Sequence, residues 1–199
     1  MAIFSIREDD KRIILALSPS RTYRENTIQM IKAIQQSGNL QVIVICVNQP
    51  AAFLKEFYTK NGIDTDRIFF IDAITQYATG TAPAPLENCR FVSKPNDLTS
   101  MGIAITTILK QFEGKKTVIF LDSVNAMLIH TSSVDLSKFI HFIISKLRIL
   151  NIAGTCLRWK KALILCSSPS SARLPTTLSS FRKENLLKLP FFCATMVKP

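Results

Sequence analysis

The sequence predicts an α/β fold: a three-layer α/β/α sandwich built around a mainly parallel sheet. Short, strongly apolar runs alternate along the chain with longer segments whose apolar residues recur at helical spacing. Such runs are typical of strands buried on both faces, and strands that alternate with helices pair in parallel. The chain has 199 residues and is 47% hydrophobic, which is enough for one domain with a substantial core.

The first half of the chain alternates strand and helix. Residues 11–18 (KRIILALS), 40–47 (LQVIVICV) and 67–71 (RIFFI) are predicted as buried strands. Residues 23–36 and 51–61 are predicted as the helices between them, because each has helical apolar spacing and each is soon followed by a glycine.

The second half continues the pattern after a loop. Residues 75–88 contain two prolines and are predicted as that loop. A helix is predicted over 98–112, with Asn96 or Asp97 as its N-cap. A second, strongly amphipathic helix is predicted over 134–150. Its core face is predicted to hold Phe139, Phe142, Ile143, Leu147 and Leu150.

Charge and composition restrict the classes of protein. The net charge is +11, but residues 1–157 hold 17 basic and 13 acidic residues, whereas residues 158–199 hold 8 basic residues and one acid. The excess therefore lies mostly in the tail, where it favours phosphate binding only weakly. The longest apolar stretch, 139–157, contains Lys146 and Arg148, so no membrane span is expected.

The N-terminus and the cysteines point to the cytoplasm. MAIFSIREDD turns acidic at once and lacks the form of a signal peptide. The five cysteines are scattered without a CxxC pair, so neither a zinc site nor a disulfide framework is expected. We therefore expect a cytoplasmic protein with no membrane contact.

The most informative stretch is KTVIFLDSVNAMLIH. Residues 117–121 form a predicted buried strand that runs directly into Asp122 and Ser123, and a further strand is predicted over 152–157. In open α/β sheets, ligands bind at the carboxyl edge of the strands. Asp122 and Ser123 are therefore candidate binding residues.

The order of elements over 11–157 resembles the RecA-like P-loop ATPases, and among them the archaeal KaiC-like group. Two segments carry the resemblance: PAAFLKEFYTKNGIDTDRIFFIDAIT (50–75) and TVIFLDSVNAML (117–128). The second is similar to the family's Walker B strand. The resemblance implies that Asp122 lies where the family holds the magnesium of a bound nucleotide, with ATP and Mg²⁺ as the corresponding ligands.

The phosphate-binding loop departs from the family. Relatives have GxxxxGK[ST] after the first strand, whereas this chain has SPSRTYRENTI, with no glycine and no lysine. Side chains at Pro19, Arg21 and Tyr23 are expected to obstruct the close backbone approach that phosphate needs. Arg21 or Arg24 still offers charge for weak, vestigial nucleotide binding.

A second departure concerns the base that activates water. The family carries a glutamate pair after the second strand, and the matching positions here are Asn48 and Gln49. An amide cannot accept a proton as a general base. We therefore expect no catalytic residues and no hydrolysis of ATP, even if the nucleotide binds.

Ordinary structural roles compete with the functional ones. Asp122 and Asp72 both follow strands, where a carboxylate commonly caps the next turn or helix, and we favour that role for both. His130 and His141 lack a matched carboxylate or cysteine, so no metal site is expected. No serine has the G-x-S-x-G context of a hydrolase.

Residues 158–199 differ in character from the rest. They are basic, contain a Ser/Pro cluster and show no amphipathic period. Back-translation read one base earlier from the Leu157 codon permits the peptide ALEKGIDPVLLTQLSSSSDHVIKL, which has an amphipathic helix and a closing strand. We therefore interpret 158–199 as a poorly packed tail and a candidate frameshift product, with 1–157 as the ATPase-type domain. In this interpretation strand 11–18 loses the neighbour that the last strand of RecA-like sheets provides, or gains 162–166 in its place.

The sequence therefore predicts a catalytically inactive, RecA-like regulatory or protein-interaction module in signal transduction, with a protein partner or a second copy as its binding partner. The helix 134–150 and the loop 75–88 are candidate contact surfaces. Two alternatives stay open: an Mg-ATP-dependent ATPase with a non-standard phosphate loop using Arg21 or Arg24, and a nucleic-acid-binding protein that uses the basic tail.

Overall fold

We describe the chain from a computed structural model, which covers residues 13–159 and 193–196. The strands of this part are β1 (Ile13–Ser18), β2 (Gln41–Cys46), β3 (Ile68–Asp72), β4 (Cys89–Phe91), β5 (Thr117–Leu121), β6 (Ala153–Trp159) and β7 (Cys193–Met196). The helices are α1 (Tyr23–Gln36), α2 (Ala51–Lys60), α3 (Thr75–Thr79), α4 (Leu98–Gln111), α5 (Val124–His130) and α6 (Ser133–Ile149).

The described strands form one sheet in the order β4-β3-β2-β5-β6-β1-β7. Every pairing is parallel. In the centre, Ile45 of β2 lies opposite Leu121 of β5, and Leu121 lies opposite Cys156 of β6. Because all strands run in one direction, their carboxyl ends share one edge of the sheet, as predicted.

Helices cover both faces of the sheet, which confirms the three-layer α/β/α class. Alternate strand residues serve opposite faces: Val42 and Val44 pack with α1 and α2, whereas Ile43 and Ile45 pack with α4, α5 and α6. The central strands are nearly inaccessible to solvent on both sides. This explains why they appear in the sequence as continuous apolar runs rather than alternating ones.

The predicted elements have their counterparts in the structure, with small differences at their ends. The 23–36 helix and the 117–121 strand have the predicted bounds. Within the predicted loop 75–88 lies the short helix α3, and β4 follows that loop; neither was predicted. Both are only a few residues long, which is too short for a periodic pattern to reveal.

The predicted core face of α6 was wrong in part. Phe139, Ile143 and Leu147 are buried, but Phe142 is 45% exposed and Leu150 is 46% exposed. These two residues lie outside the stripe that faces the sheet. The Phe142 ring instead lies beside Gly102 of α4.

Two short segments of residues 158–199 belong to the sheet. Arg158 and Trp159 extend β6, and Cys193–Met196 pairs in parallel with β1, so β1 does have a neighbour on that side. Residues 162–166, the alternative neighbour that the sequence offered for β1, lie outside the described residues. The rest of the predicted poorly packed tail lies outside them too.

Candidate functional site

The carboxyl edge of the sheet brings together the ends of β1, β2, β3 and β5. Asp122 follows β5, and its backbone N–H donates to the carbonyl of Ile45 at 3.2 Å, which extends the pairing of β5 with β2. Asn48 and Gln49 follow β2 at the same edge and are half-buried. The predicted magnesium position and the predicted positions of the missing glutamates are thus neighbours.

The loop between β1 and α1 is held by a side chain rather than left open. Ser20–Thr22 forms a 3₁₀ turn. The Asn26 side-chain amide donates to Ser18 Oγ at 2.8 Å and to Thr22 Oγ1 at 3.2 Å. Ser18 and Asn26 are both buried. These bonds join the end of β1 to the first turn of α1 across the loop.

Tyr23 occupies the space in front of Asp122. It is the first residue of α1 and is buried. Its hydroxyl donates to Asp122 Oδ1 at 2.8 Å and also contacts the main-chain carbonyl oxygen of Asp122. One carboxylate oxygen of the candidate site is therefore already bound by a side chain of the same chain.

The Asp122 carboxyl group is in an unfavourable place for a charge. Burial raises its pKa from 3.8 to about 6, while the hydrogen bond from Tyr23 and the nearby backbone amides of Asn48 and Val47 act in the opposite direction. Oδ2 of Asp122 has no hydrogen-bond partner among the described residues. The carboxyl group is therefore only partly compensated.

Ser123 and the two arginines play separate roles. Ser123 is buried, and its Oγ accepts a hydrogen bond from the backbone N–H of Ala126 at 3.1 Å, so it is the N-cap of α5. Ser123, rather than Asp122, thus provides the predicted helix cap. Arg21 and Arg24 are exposed, whereas Asp122 is buried.

Asp72 is a capping residue, in agreement with its predicted structural role. It is fully buried, and its Oδ2 accepts bonds from the backbone N–H of Ala51 at 2.7 Å and from Thr75 Oγ1 at 2.6 Å. Its Oδ1 accepts from the backbone N–H groups of Ile74 and Thr75, each at 2.8 Å. Asp72 therefore ties the end of β3 to the starts of α2 and α3.

The thiol of Cys46, which lies at the end of β2, is not a nucleophile. Burial, followed by the nearby carboxylates of Asp122 and Asp72, raises its pKa well above the usual value.

The two histidines lie in different surroundings. His130 packs edge-on against Tyr77, with ring centroids 5.3 Å apart, and His141 is exposed. Within the described residues, no three His, Cys, Asp or Glu side chains are grouped as a metal site.

Two residues of the site escaped prediction in their actual roles. Tyr23 was expected to obstruct phosphate, but its bond to Asp122 was not foreseen, since the two residues are 99 positions apart. Asn26 was not singled out at all. Its signal in the sequence was its position in the first turn of a helix that follows a loop without glycine, where a polar side chain can close the loop.

Comparisons with known proteins find likeness in the fold. No protein-family model and no curated protein matches the sequence. The structure is similar to the KaiC-like protein PH0186 from the hyperthermophilic archaeon Pyrococcus horikoshii OT3, with TM-score 0.51 and 11% identity over 75% of this chain and 62% of that one. It is also similar to the uncharacterized protein PH0321 from Pyrococcus horikoshii, solved in complex with an unknown peptide, with TM-score 0.52 and 11% identity over 75% of this chain and 68% of that one.

The match extends across most of this chain but across less than two thirds of PH0186. At this level of identity the likeness concerns architecture and not activity. Within the described residues, no helix combines the length and the apolar character needed to cross a membrane. The parallel sheet, its two helix layers and these two structural neighbours together identify the chain as having a RecA-like fold of the KaiC-like type.

Proposed function

We propose that this chain is a catalytically inactive RecA-like module that acts in regulation by binding another protein. The observation that carries the proposal is the bond between the Tyr23 hydroxyl and Asp122. In a working site the aspartate would hold a hydrated magnesium ion and the preceding loop would hold phosphate. Here a buried phenol ring fills the space between that loop and the aspartate.

The residues present do not fit a magnesium-bound nucleotide. The loop between β1 and α1 has no glycine, and the Asn26 side chain holds its two ends together. Oδ1 of Asp122 already accepts a hydrogen bond from the buried Tyr23 hydroxyl, so this oxygen is occupied by the chain's own side chain. Asn48 and Gln49 add no general base at this edge.

One further observation supports the binding role, and another supports the cellular compartment. PH0321 was solved with a peptide bound, so a protein of this fold is able to bind peptide. The described cysteines, Cys46 and Cys89, are free thiols, which agrees with a reducing compartment such as the cytoplasm. The proposal therefore assigns this chain a protein partner in the cytoplasm.

The test is calorimetric titration with ATP and Mg²⁺, together with a thermal-unfolding scan. We expect neither heat of binding nor thermal stabilisation. A ligand at about 100 times its Kd would raise the free energy of unfolding by about 2.7 kcal/mol, which such a scan detects easily. Micromolar binding that disappears in Asp122→Ala would overturn the proposal.

Substitution of Arg21 and Arg24 tests the alternative hypothesis of an active ATPase. If Arg21 and Arg24 replace the missing lysine, Arg21→Ala and Arg24→Ala would each abolish any nucleotide-dependent stabilisation. Under our proposal both variants behave like the parent chain in this assay, because there is no stabilisation to lose. ATP hydrolysis above the background of Asp122→Ala would favour the ATPase reading instead.

A further inference from the structure

The turn that follows α2 contains the one asparagine of the sequence that stands directly before a glycine, in the dipeptide Asn61–Gly62. In such a dipeptide the backbone nitrogen of the glycine attacks the side-chain carbonyl carbon of the asparagine, because glycine has no side chain to hinder the approach. Ammonia leaves, a succinimide ring forms, and water opens the ring to aspartate or isoaspartate. The reaction needs neither enzyme nor cofactor, so its rate depends on the conformation of this turn.

The backbone of the turn forms a complete helix C-cap. The N–H of Gly62 donates to the carbonyl of Thr59 at 3.0 Å, and the N–H of Ile63 donates to the carbonyl of Tyr58 at 3.0 Å. This pair of bonds is the Schellman motif, in which a glycine with positive φ ends the helix. Gly62 has φ +71°. The nitrogen that would attack is therefore engaged as a hydrogen-bond donor, which hinders removal of its proton.

The side chain of Asn61 is also held away from the reaction. Its Nδ2 donates to the carbonyl of Phe57 at 2.8 Å, one turn back along α2. Asn61 has ψ 12°, which places the Gly62 nitrogen beside the backbone nitrogen of Asn61 rather than beside its side chain. Ring closure requires a large rotation about the Cα–C bond of Asn61. The native turn thus keeps the two reacting atoms apart.

Contacts beyond the helix hold the turn closed. Ile63 is buried in the core cluster that α1 and α2 form with the sheet. Gln35 of α1 binds the next residue twice: its Nε2 donates to the carbonyl of Asp64 at 2.7 Å, and its Oε1 accepts from the backbone N–H of Asp64 at 3.1 Å. We call these two bonds the Gln35 clamp. The rotation at Asn61 moves the chain that follows it, so the clamp opposes that rotation.

The products of the reaction do not fit the native turn. An isoaspartate carries the chain through the former side chain and lengthens the backbone by one methylene, so the N–H groups of Gly62 and Ile63 no longer meet their two carbonyls in α2. An aspartate keeps the backbone but replaces the Nδ2 donor with a carboxylate that faces the carbonyl of Phe57. Either product therefore weakens the end of α2.

We propose that Asn61 is a site of spontaneous deamidation whose rate is set by local opening of the turn after α2, and that the Gln35 clamp limits this opening. In the closed turn the reaction is slow. Once the turn has opened, the reaction proceeds at the rate of an unstructured peptide and is irreversible. Helix ends open at a lower cost in free energy than the whole domain, so the rate reports the stability of this turn. This inference does not depend on the proposed function.

The test follows the conversion of Asn61 by peptide mapping and mass spectrometry. The full chain, the full chain in urea and a synthetic peptide of residues 57–67 (FYTKNGIDTDR) are incubated at neutral pH, and the amide-to-acid conversion is measured over time. We expect the folded chain to convert at least about tenfold more slowly than the peptide, and the chain in urea to approach the rate of the peptide. Equal rates in the folded chain and the peptide would overturn the proposal.

Gln35→Ala isolates the contribution of the clamp. It removes both bonds to Asp64 and leaves the reacting residues unchanged, so we expect Asn61 to convert at least about threefold faster than in the parent chain. Gln36→Ala changes the neighbouring glutamine, which is exposed, and is the matched control. Its rate should stay within about twofold of the parent.

Asp97→Ala separates local from global opening. Asp97 accepts a hydrogen bond from the backbone N–H of Ser100 at 2.9 Å and caps α4 on the other face of the sheet. Its loss lowers the stability of the domain without touching the turn after α2. We therefore expect the rate at Asn61 to stay within about twofold of the parent in this variant. Thermal unfolding of all three variants shows how far each lowers the overall stability.

Each contrary outcome is decisive. An unchanged rate in Gln35→Ala would overturn the role of the clamp. Equal acceleration in Asp97→Ala and Gln35→Ala would show that the reaction follows global unfolding, and would also overturn the proposal. Faster conversion at any other asparagine, none of which precedes a glycine, would overturn the assignment of the site. None of these results changes the ATP titration, which tests the proposed function by itself.

Discussion

Two buried aspartates at one sheet edge have opposite environments. Asp72 accepts four hydrogen bonds, two on each oxygen. Asp122 accepts a hydrogen bond from Tyr23 on Oδ1, whereas its Oδ2 has no partner among the described residues. A buried charge is tolerated only where donors surround it. The same amino acid therefore stabilises the fold at one position and strains it at the other.

Replacing each aspartate by asparagine should separate the two roles. Asp72→Asn puts an amide N–H₂ group against backbone N–H donors and is expected to lower the free energy of unfolding by about 2–3 kcal/mol. Asp122→Asn keeps an acceptor for Tyr23 and removes a buried charge, so at neutral pH it is expected to be neutral or stabilising. Urea unfolding of both variants measures the difference, and equal destabilisation would contradict it.

The raised pKa of Asp122 should make the free energy of unfolding depend on pH. Its folded pKa of about 6 lies above the ordinary 3.8, so between these values the folded protein binds more protons than the unfolded chain. The contribution of Asp122 to the free energy of unfolding is therefore largest at low pH and falls by about 3 kcal/mol as pH rises from about 4 to about 6. In Asp122→Asn this fall should be absent. An unchanged pH profile in that variant would refute the assignment.

Tyr23→Phe tests the bond directly. It removes the hydroxyl that lowers the pKa of Asp122, so the pKa is expected to rise further. The loss should cost about 1–3 kcal/mol at pH 7, where the carboxylate is charged, and less at pH 4, where it is neutral. Chemical denaturation at both pH values measures this, and an equal cost at both would mean that the contribution of the hydroxyl does not depend on the charge of Asp122.

At the scale of elements, three helices on one face of the sheet begin with side-chain caps. Asp97 caps α4, Ser123 caps α5 and Ser132 caps α6. Each cap satisfies a backbone N–H group of the first turn, which would otherwise have no partner. These caps set where the three helices start on this face of the sheet.

Asp97→Ala should show how much such a cap contributes to the free energy of unfolding. We expect a loss of about 1 kcal/mol in thermal unfolding at pH 7, and only a few tenths for Asp97→Asn, which keeps an acceptor. The hydrogen bond from Ser100 lowers the pKa of Asp97. The contribution of its charge is therefore present above the ordinary pKa of aspartate and is lost as pH falls through the lowered value. A cap effect that grows at low pH would contradict this sign.

At the scale of the whole molecule, the outer side of β1 is paired. Cys193–Met196 lies in parallel beside Ile14–Leu17. An uncovered apolar edge strand invites aggregation, so whichever segment fills this place protects the sheet. The alternative reading frame offers DHVIKL for the same position.

We propose that the frame read one base earlier from the Leu157 codon encodes the natural end of this domain. A chain joining residues 1–157 to ALEKGIDPVLLTQLSSSSDHVIKL is expected to have a larger free energy of unfolding than the present chain, because it adds an amphipathic helix and a closing strand. Urea unfolding of the two chains compares them. Sequencing of the coding DNA gives the independent check, and codons that cannot yield the shifted peptide would end the idea.

The sequence by itself determined the architecture. Runs such as residues 40–47 and 117–121 are almost entirely apolar, which is typical of strands covered on both faces, and their alternation with helices favours a parallel sheet. It also determined that the loop after β1 lacks glycine and lysine, since that is a matter of composition. Short elements such as α3 and β4 lacked the length to leave a periodic signal.

Only the tertiary structure decided what those residues do. The bond from Tyr23 to Asp122, the satisfied shell around Asp72 and the clamp from Gln35 to Asp64 join positions that lie far apart in the chain. Periodicity reports which face of an element is buried, but it does not report which side chain meets which. That depends on strand order and register, and these are fixed only when the whole sheet assembles.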